Sequence, residues 1–426
     1  MKILIKNGRI IDPANNIDGL WDILIKDSRI FKAAKNIKSD ADKVIDAKDK
    51  LVMPGLVDMH VHLREPGRED KETIASGTRA ALSGGVTSLL AMPNTLPAMD
   101  SKANVTLLKQ IAGKTAHANV FICGAITVGR EGQKLTDISG LKKTGAIAIS
   151  DDGASVDDDK LFAQALKAAK TENILVICHC EDKRLSCGGV VNLGLTSTRM
   201  GLRGISKESE YRRIERDMAL AQKLDARLHI AHVSCKESVE LIARAKKKRV
   251  KVTCETAPHY FSLSEESAWG YDTNMKMNPP LRGREDLEAI KQGLKSGVID
   301  AIASDHAPHT ENEKDIEFEH AEFGVIGLET ELAVSITELV EKGILSWSEL
   351  VRKMALNPAK ILGIDKGILS EGKDADIIVI SPDKEWVVQK ENFVSRSRNS
   401  AFLAKKLTGV VEYTIRAGEI VYSMDR

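Results

Sequence analysis

The sequence contains little cysteine and no excess of charge of either sign. Its 426 residues include six cysteines without paired spacing, a pattern typical of reduced thiols in a cytoplasmic protein. The 62 basic and 61 acidic residues nearly cancel, which argues against a nucleic acid or an anionic membrane surface as a partner. No run of about twenty apolar residues is present, so the sequence predicts no membrane span. The charges within the apolar start MKILIKNGRIID are not typical of a signal peptide.

Short alternating segments separated by turns occupy both ends of the chain. The start contains KILIKNGRIID and WDILIKDSRIF, and the end contains DADIIVISPD and LTGVVEYTIRAGEIVY. Apolar and polar residues that alternate over such short runs indicate β-strands, and Asn-Gly and Asp-Ser pairs indicate turns. Because neither end has a core of its own, we predict that residues 1–54 and 362–426 together form one small β-sandwich domain.

Between these ends, apolar runs alternate with helical patterns. Eight runs, from GLVDMHVHL to IDAIASDHAPH, are mostly separated by helix-like segments such as EDKETIASGTRAALSGG. This repeated β-α pattern over residues 55–361 predicts an α/β fold, namely a (β/α)8 barrel of the TIM type. An open doubly wound sheet is the alternative, but no GxGxxG motif follows an early run, so we favour the barrel.

Histidines and aspartates stand at the ends of five of these runs. His60 and His62 lie two residues apart in the first run, so both side chains share one face of a strand. Any one of these residues could be an ordinary core or helix-capping residue, but a barrel gathers all the strand ends at its C-terminal face, where active sites lie. Such a set suits two divalent ions, and nitrogen and oxygen ligands favour Zn²⁺ over Ca²⁺ or Mg²⁺. The candidate ligands are His60, His62, Asp152, His179, His232 and Asp305.

Two further assignments depend on the alternation of side chains along a strand. Asp151 and Asp152 are adjacent, so only one of them is expected to reach the site. We favour Asp152 as the carboxylate that bridges two ions, with Asp151 as its rival. His229 is three residues from His232 and therefore has the opposite parity, so it is expected to face the helices.

Seven motifs together resemble those of one known family. DMHVHLREPG, AMPNT, SDDG, ICHCED, IAHVS, MNPPLR and SDHAPH are similar to the motifs of dihydroorotases of the longer bacterial type, within the amidohydrolase superfamily. The resemblance covers nearly the whole chain. It implies the reversible cyclisation of N-carbamoyl-L-aspartate to L-dihydroorotate, a step of de novo pyrimidine (UMP) biosynthesis.

The resemblance also implies roles for the matching residues. It implies two zinc ions per subunit, bridged by Asp152 and a hydroxide. The remaining ligands are His60, His62 and Asp305 for one ion, and His179 and His232 for the other. The shorter dihydroorotases and the hydantoinases use a carboxylated lysine as the bridge, whereas the segment AISDDG contains no lysine. The residues expected to contact the substrate are His62, Arg64, Asn94, Asn278, His309, Phe323 and Gly324.

For this reaction, Asp305 is expected to be the catalytic residue. In ring opening, a zinc-activated hydroxide would attack the ring amide carbonyl, and Asp305 would take the proton and return it to the departing nitrogen. The guanidinium of Arg64 offers paired donors that suit the carboxylate of the substrate. The charged segment HTENEKDIEFEHAEFG, residues 309–324, has no periodicity and is expected to be a loop that could cover the site.

Two other functions fit parts of the same pattern. Another cyclic amidase, such as a hydantoinase or an allantoinase, would use the same metals but would leave Arg64 and Asn94 without a purpose. A non-catalytic, dihydroorotase-like partner of aspartate transcarbamoylase is the second alternative, although such a scaffold should lack some ligands and this chain has all of them. From the family, a homodimer and an association with aspartate transcarbamoylase are plausible.

Overall fold

The chain folds into a parallel barrel and a second sheet that is built from both ends of the chain. The computed structural model describes residues 1–424. Its strands are β1 (Lys2–Asp12), β2 (Ile17–Lys26), β3 (Arg29–Ala34), β4 (Lys43–Asp46), β5 (Leu51–Pro54), β6 (Leu56–Val61), β7 (Val86–Ala91), β8 (Asn119–Gly124), β9 (Ala146–Ile149), β10 (Leu175–Cys178), β11 (Val191–Asn192), β12 (Gly204–Ile205), β13 (Leu228–Ile230), β14 (Val252–Thr256), β15 (Ala301–Ile302), β16 (Ile377–Val387), β17 (Lys406–Arg416) and β18 (Glu419–Ser423).

The helices lie mostly between the strands of the barrel. They are α1 (Ile74–Ser83), α2 (Lys102–Thr115), α3 (Ile138–Thr144), α4 (Asp159–Glu172), α5 (Lys183–Ser186), α6 (Leu195–Met200), α7 (Glu208–Leu224), α8 (Lys236–Lys247), α9 (Pro258–Ser262), α10 (Arg284–Ser296), α11 (Glu311–Lys314), α12 (Glu331–Ser335), α13 (Trp347–Val351) and α14 (Asn357–Leu362). None of the helices within residues 1–424 combines the length and apolar content that a bilayer crossing requires.

Eight parallel strands, β6–β10 and β13–β15, form the barrel. They are ordered β6, β7, β8, β9, β10, β13, β14, β15 around the sheet. After β15 the chain returns to β6, where Val61 and His306 form a parallel bridge that nearly closes the ring. The TIM-like (β/α)8 barrel predicted from the repeated β-α pattern is therefore confirmed.

Local sequence explains where a typical barrel helix begins, ends and packs. At the start of α4, the Asp158 side chain accepts the backbone N–H of Leu161, and Asn173 in the left-handed conformation (φ 50°) ends the helix. The buried positions of α4 recur every three or four residues, which is the spacing of one helix face. They are Phe162, Ala165, Leu166 and Ala169. The pattern that predicts the helix thus also fixes the face that packs on the barrel.

The terminal strands form one eight-stranded sheet. β5 pairs with β16 in antiparallel register, with Val52 opposite Val379, so the two ends of the chain meet. The side chains of this sheet enclose a core rich in isoleucine, which includes Ile3, Ile23 and Ile415. A β unit built from both termini is confirmed, whereas the domain limits at residues 1–54, 55–361 and 362–426 remain a prediction.

A small lobe, residues 183–205, is inserted between β10 and α7 and contains α5, β11, α6 and β12. The buried Arg282 fixes this lobe to the barrel. Its Nη1 donates to Oδ1 of Asn192 and to the carbonyl of Ile205, both at 2.9 Å. Its Nε donates at 3.2 Å to the hydroxyl of Ser234, two residues after His232. The guanidinium therefore connects the lobe to the segment that carries a candidate metal ligand.

Candidate metal centre and substrate pocket

Six side chains from five barrel strands converge at one end of the barrel. Two come from β6 and the residue after it, and the other four follow the ends of β9, β10, β13 and β15. The structure thus brings together every residue that the sequence placed at a metal centre, namely His60, His62, Asp152, His179, His232 and Asp305.

One group of possible ligand atoms surrounds Asp305. The ligand atoms of His60, His62 and Asp305 lie within 4.8 Å of one another. Oδ1 of Asp305 is 3.2 Å from Nε2 of His62 and 3.6 Å from Nε2 of His60. A single cation could therefore contact all three side chains.

A second group surrounds Asp152. The ligand atoms of His60, Asp152 and His232 also lie within 4.8 Å of one another, and Nε2 of His232 is 2.9 Å from Nδ1 of His179. Oδ1 of Asp152 is 3.8 Å from Nε2 of His232 and 3.9 Å from Nδ1 of His179, whereas its Oδ2 is 3.6 Å from Nε2 of His62. Because the two carboxylate oxygens face different imidazoles, Asp152 has the geometry of a bridging ligand.

The residues of this cluster fit a divalent metal ion. Within residues 1–424, Nε2 of His60 and Oδ1 of Asp152 are buried and have no hydrogen-bond partner. Unpaired buried polar atoms cost free energy, and a cation between them would satisfy both. Imidazole nitrogens and carboxylate oxygens are ligands that suit Zn²⁺.

Backbone conformation marks three residues of the site. Arg64 (φ 62°), His232 (φ 34°) and Asp305 (φ 50°) all have positive φ values. Residues other than glycine rarely adopt such values. Such residues each cost of order 1–3 kcal/mol and persist where the surroundings demand them. The strained backbone at these three residues is therefore a feature of the site, where their side chains come together.

Glu255, which the sequence analysis missed, contacts a candidate metal ligand. It lies in β14, and its Oε1 is 2.8 Å from Nδ1 of His60. Although burial alone would raise the pKa of Glu255, hydrogen bonds from His229 and His60 lower it to about 2. A sequence signal was present, because Glu255 stands near the end of the seventh apolar run. The candidate metal ligands stand at the same place in their own apolar runs.

Two more imidazoles are held by polar side chains on their outer nitrogens. Nδ1 of His62 is 2.8 Å from Oδ1 of Asn94, which leaves the amide nitrogen of Asn94 available to a substrate. Nε2 of His179 is 3.3 Å from Oε2 of Glu181, a second residue that the sequence analysis missed. Partners of this kind orient metal-binding imidazoles and fix their tautomers.

The expectation for His229 was wrong. Its ring points at Glu255, with Nε2 3.3 Å from Oε2, and its Nδ1 is 2.8 Å from the hydroxyl of Thr253. Counting alternate residues back from His232 fails because β13 ends at Ile230 and His232 has a positive φ. His229 therefore supports Glu255 beneath the metal centre instead of facing the helices.

Next to the metal ligands lies a cavity of about 250 Å³. It is lined by all the residues that the resemblance assigned to substrate binding, namely His62, Arg64, Asn94, Asn278, His309, Phe323 and Gly324. Burial lowers the pKa of Arg64 to about 10, so its guanidinium remains positive at neutral pH. The cavity therefore offers a small anion a cationic side chain in the same space as the metal ligands.

His309 is held in one orientation inside this cavity. Its Nδ1 is 3.1 Å from Nζ of Lys71, and its Nε2 is 2.8 Å from the carbonyl oxygen of Phe323. Burial and the neighbouring cations of Arg64 and Lys71 hold the pKa of His309 well below its usual value. An ammonium can only donate, so the neutral ring of His309 accepts at Nδ1 and carries its hydrogen on Nε2.

Segment 309–324 forms one wall of the cavity and is tied down by two buried lysines. Nζ of Lys276 donates to the carbonyls of Phe318 and Glu319, both at 2.9 Å, and Nζ of Lys314 donates to that of Gly324 at 3.1 Å. A Cβ atom on Gly324 would lie 2.6 Å from a side-chain carbon behind it. Glycine at this position thus lets the segment approach the barrel closely.

Comparisons with known proteins agree on one family. The Dihydro-orotase-like family matches residues 49–238, and the Amidohydrolase family matches residues 287–422. The chain is 53% identical to a dihydroorotase of Elusimicrobium minutum (strain Pei191), over 99% of this chain and 97% of that protein. It is 50% identical to a dihydroorotase of Geotalea daltonii, over the full length of both. Its fold is similar to that of an L-hydantoinase from Arthrobacter aurescens, with a TM-score of 0.90, 26% identity, and coverage of 99% of this chain and 96% of that one.

Proposed function

This chain belongs to the dihydroorotase family of cyclic amide hydrolases, and we propose that its site interconverts N-carbamoyl-L-aspartate and L-dihydroorotate in pyrimidine biosynthesis. One observation carries the proposal: a cluster of imidazoles and carboxylates shares a cavity with Arg64, Asn94 and His309. The cluster supports hydrolysis of an amide, and the cationic Arg64 supports a substrate that carries a carboxylate.

We propose that two Zn²⁺ ions complete the site. The residues that would hold them are His60, His62 and Asp305 for one, His179 and His232 for the other, and Asp152 for both. Oδ1 of Asp152 faces His232 and His179, and its Oδ2 faces His62, which supports a bridging role. When bound, the ions would lower the pKa of a water molecule and polarise the amide carbonyl.

Asp305 is the residue that moves the proton. In ring opening, its carboxylate takes a proton from the attacking water and delivers it to the ring nitrogen as the C–N bond breaks. In ring closure, the same carboxylate takes the proton from that nitrogen as the C–N bond forms and returns it to the oxygen that leaves the substrate carboxyl group as water. Its place beside His62 in the cavity supports this role, and a proton shuttle of this kind contributes about 10²–10⁴-fold in rate.

The other residues of the cavity orient the substrate. Arg64 and the amide nitrogen of Asn94 bind the substrate carboxylate, and His309 lies beside them. His62 contacts the substrate from the side of the metal centre. Asn278 and the backbone of Phe323 and Gly324 contact the pyrimidine ring; the amide nitrogen of Asn278 already donates to Glu181 at 3.1 Å, which supports its orientation as a donor.

We also propose a homodimer and an association with aspartate transcarbamoylase, on the strength of the family alone. A cytoplasmic location is supported by the cysteines, since all six lie within the described residues and are free thiols.

Assays on three cyclic amides test the proposed function. The zinc-loaded protein should open dihydroorotate far faster than hydantoin or allantoin, and exhaustive chelation should abolish the activity until zinc is restored. Preference for hydantoin or allantoin would instead identify a different cyclic amidase. A zinc-loaded protein that opens none of the three would identify a non-catalytic partner of aspartate transcarbamoylase.

A further inference from the structure

A chain of buried polar side chains runs from the metal centre into the barrel. Oε1 of Glu255 lies 2.8 Å from Nδ1 of His60, and Oε2 lies 3.3 Å from Nε2 of His229. This series of contacts ends at Thr253, whose hydroxyl lies 2.8 Å from Nδ1 of His229. His60, His229 and Glu255 are each at most 1% exposed, so water cannot replace any of these contacts.

The chemistry of a carboxylate decides how the ring of His60 is protonated. An ionised carboxylate can only accept hydrogen bonds, so Nδ1 of His60 must donate to Glu255. The nitrogen that would bind a metal ion is then Nε2, which faces Asp152 at 3.3 Å and Asp305 at 3.6 Å. We propose that Glu255 is a positioning residue that turns Nε2 of His60 toward Asp152 and Asp305, where this nitrogen would bind one metal ion.

The support of His60 differs from that of the other imidazoles. Asn94, which holds His62, lines the cavity, and Glu181, which holds His179, also accepts a hydrogen bond from Asn278 of the cavity. Those contacts therefore lie at the cavity. Glu255 is not among the residues that line it, so its contact with His60 should not depend on substrate. His60 belongs to both groups of ligand atoms, and fixing its ring therefore fixes Nε2 relative to both Asp152 and Asp305.

His229 and Thr253 act one step further away. Nε2 of His229 lies 3.3 Å from the second oxygen of Glu255, and the hydroxyl of Thr253 holds the ring of His229 in that position. Loss of His229 leaves the contact between Glu255 and His60 in place, so its effect on zinc affinity should be smaller than that of losing Glu255. If the loss of Glu255 weakens zinc binding more than the loss of His229, the two residues act in series on His60. Unrelated buried polar groups would show no such order.

Zinc affinity of the metal-free full chain, measured by competition with a chromogenic chelator, tests this inference. Glu255→Leu, which removes both acceptor oxygens, should weaken zinc binding by about 10–100-fold. Glu255→Gln keeps one oxygen and should have a smaller effect. Glu331→Leu is the matched control, because Glu331 is another carboxyl group at 1% exposure and lies outside both groups of ligand atoms; its zinc affinity should equal that of the wild type.

The outcomes separate this inference from the proposed function on which it rests. If the wild type itself binds no zinc, the metal centre is wrong. If the wild type and both Glu255 variants bind zinc equally, the centre stands and the role of Glu255 is overturned.

A second measurement decides the question if Glu255→Leu does not fold. In zinc-loaded wild type with ¹⁵N-labelled histidine, Nδ1 of His60 should carry a low-field proton that is protected from exchange, identified by its loss in His60→Gln. A His60 ring without a proton on Nδ1 overturns the inference.

Discussion

Asp151 and Asp152 are adjacent in the chain, yet their carboxylates have different surroundings. Oδ1 of Asp151 accepts the backbone N–H groups of Ile126 at 2.8 Å and Thr127 at 3.0 Å, and its Oδ2 accepts the Thr127 hydroxyl. Asp152 instead faces Nε2 of His60 at 3.3 Å. Asp151 therefore secures the loop that follows β8, whereas Asp152 faces the metal centre.

This division of roles predicts opposite phenotypes for two conservative variants. Asp152→Asn removes a charged ligand and should lose most of its bound zinc. Asp151→Asn should keep its zinc but lose about 1–3 kcal/mol of stability, because a buried acceptor of three hydrogen bonds is weakened. Zinc content after gel filtration and urea unfolding measure the two effects. Equal zinc loss in both variants would contradict the separate roles.

The barrel and the position of its ligands were predictable because both depend on local pattern. Strand and helix periods are visible in the sequence, and parallel strands of a barrel necessarily end on one face. Each candidate ligand lies in or just after a strand, as with His179 after β10 and Asp305 after β15. Convergence of the ligands thus followed from topology without knowledge of any contact.

The direction of individual side chains was not predictable, because it depends on partners that are distant in sequence. Parity could not choose between Asp151 and Asp152, and the choice is made by the N–H groups of a loop about 25 residues earlier. Parity misplaced His229 because the chain bends after β13. Glu255 lies near the end of its apolar run, as the ligands do, but its contact with His60, 195 residues away, is visible only in the structure.

Replacing Asp305 by asparagine tests the proton shuttle. Asparagine keeps the shape of the side chain and one ligand oxygen but cannot accept the proton at neutral pH. We expect Asp305→Asn to keep the fold and to lose at least about 10²-fold in kcat for dihydroorotate. The rate is measured at saturating zinc with zinc content determined in parallel, so that loss of metal is not mistaken for loss of the shuttle. Near-normal turnover would rule the shuttle out.

Arg64→Ala tests recognition of the substrate carboxylate. The loss of a half-buried guanidinium beside the metal cluster should raise the KM for dihydroorotate by about tenfold or more, because hydrogen bonds to charged groups contribute roughly 1.5–3 kcal/mol. Zinc content should not change. Arg9→Ala is the control, since Arg9 pairs with Asp18 on the terminal sheet and is 47% exposed. An unchanged KM in Arg64→Ala would refute the assignment.

Lys71→Met tests whether the orientation of His309 matters for binding. Nζ of Lys71 lies 3.1 Å from Nδ1 of His309 and 2.9 Å from Oε1 of Glu313. Methionine removes the donor and a cation near the substrate carboxylate, so KM should rise by about tenfold with little change in kcat or zinc content. The control is Lys170→Met, whose surface ion pair with Asp225 should matter little. A fall in kcat at constant KM would instead implicate Lys71 in the chemical step.

Glu329 allows a test of pH dependence away from the metal centre. Its carboxylate accepts the backbone N–H groups of Val394 at 2.8 Å and Ser395 at 2.9 Å. Burial nevertheless raises the pKa of Glu329 from 4.5 to about 7, despite these hydrogen bonds. The folded protein therefore holds a proton between these pH values that the unfolded chain has already released.

Because the folded state binds the extra proton, the contribution of Glu329 to stability falls as pH rises from about 4.5 to about 7, by about 3 kcal/mol in total. Glu329→Gln has no such titration. The free energy of unfolding of the variant, relative to that of the wild type, should therefore increase through this window and level off above it. Urea unfolding of both proteins at each pH measures the difference, and the loss of zinc in acid, common to both, cancels. A difference that does not vary with pH would mean that Glu329 is already ionised in the folded protein at pH 5.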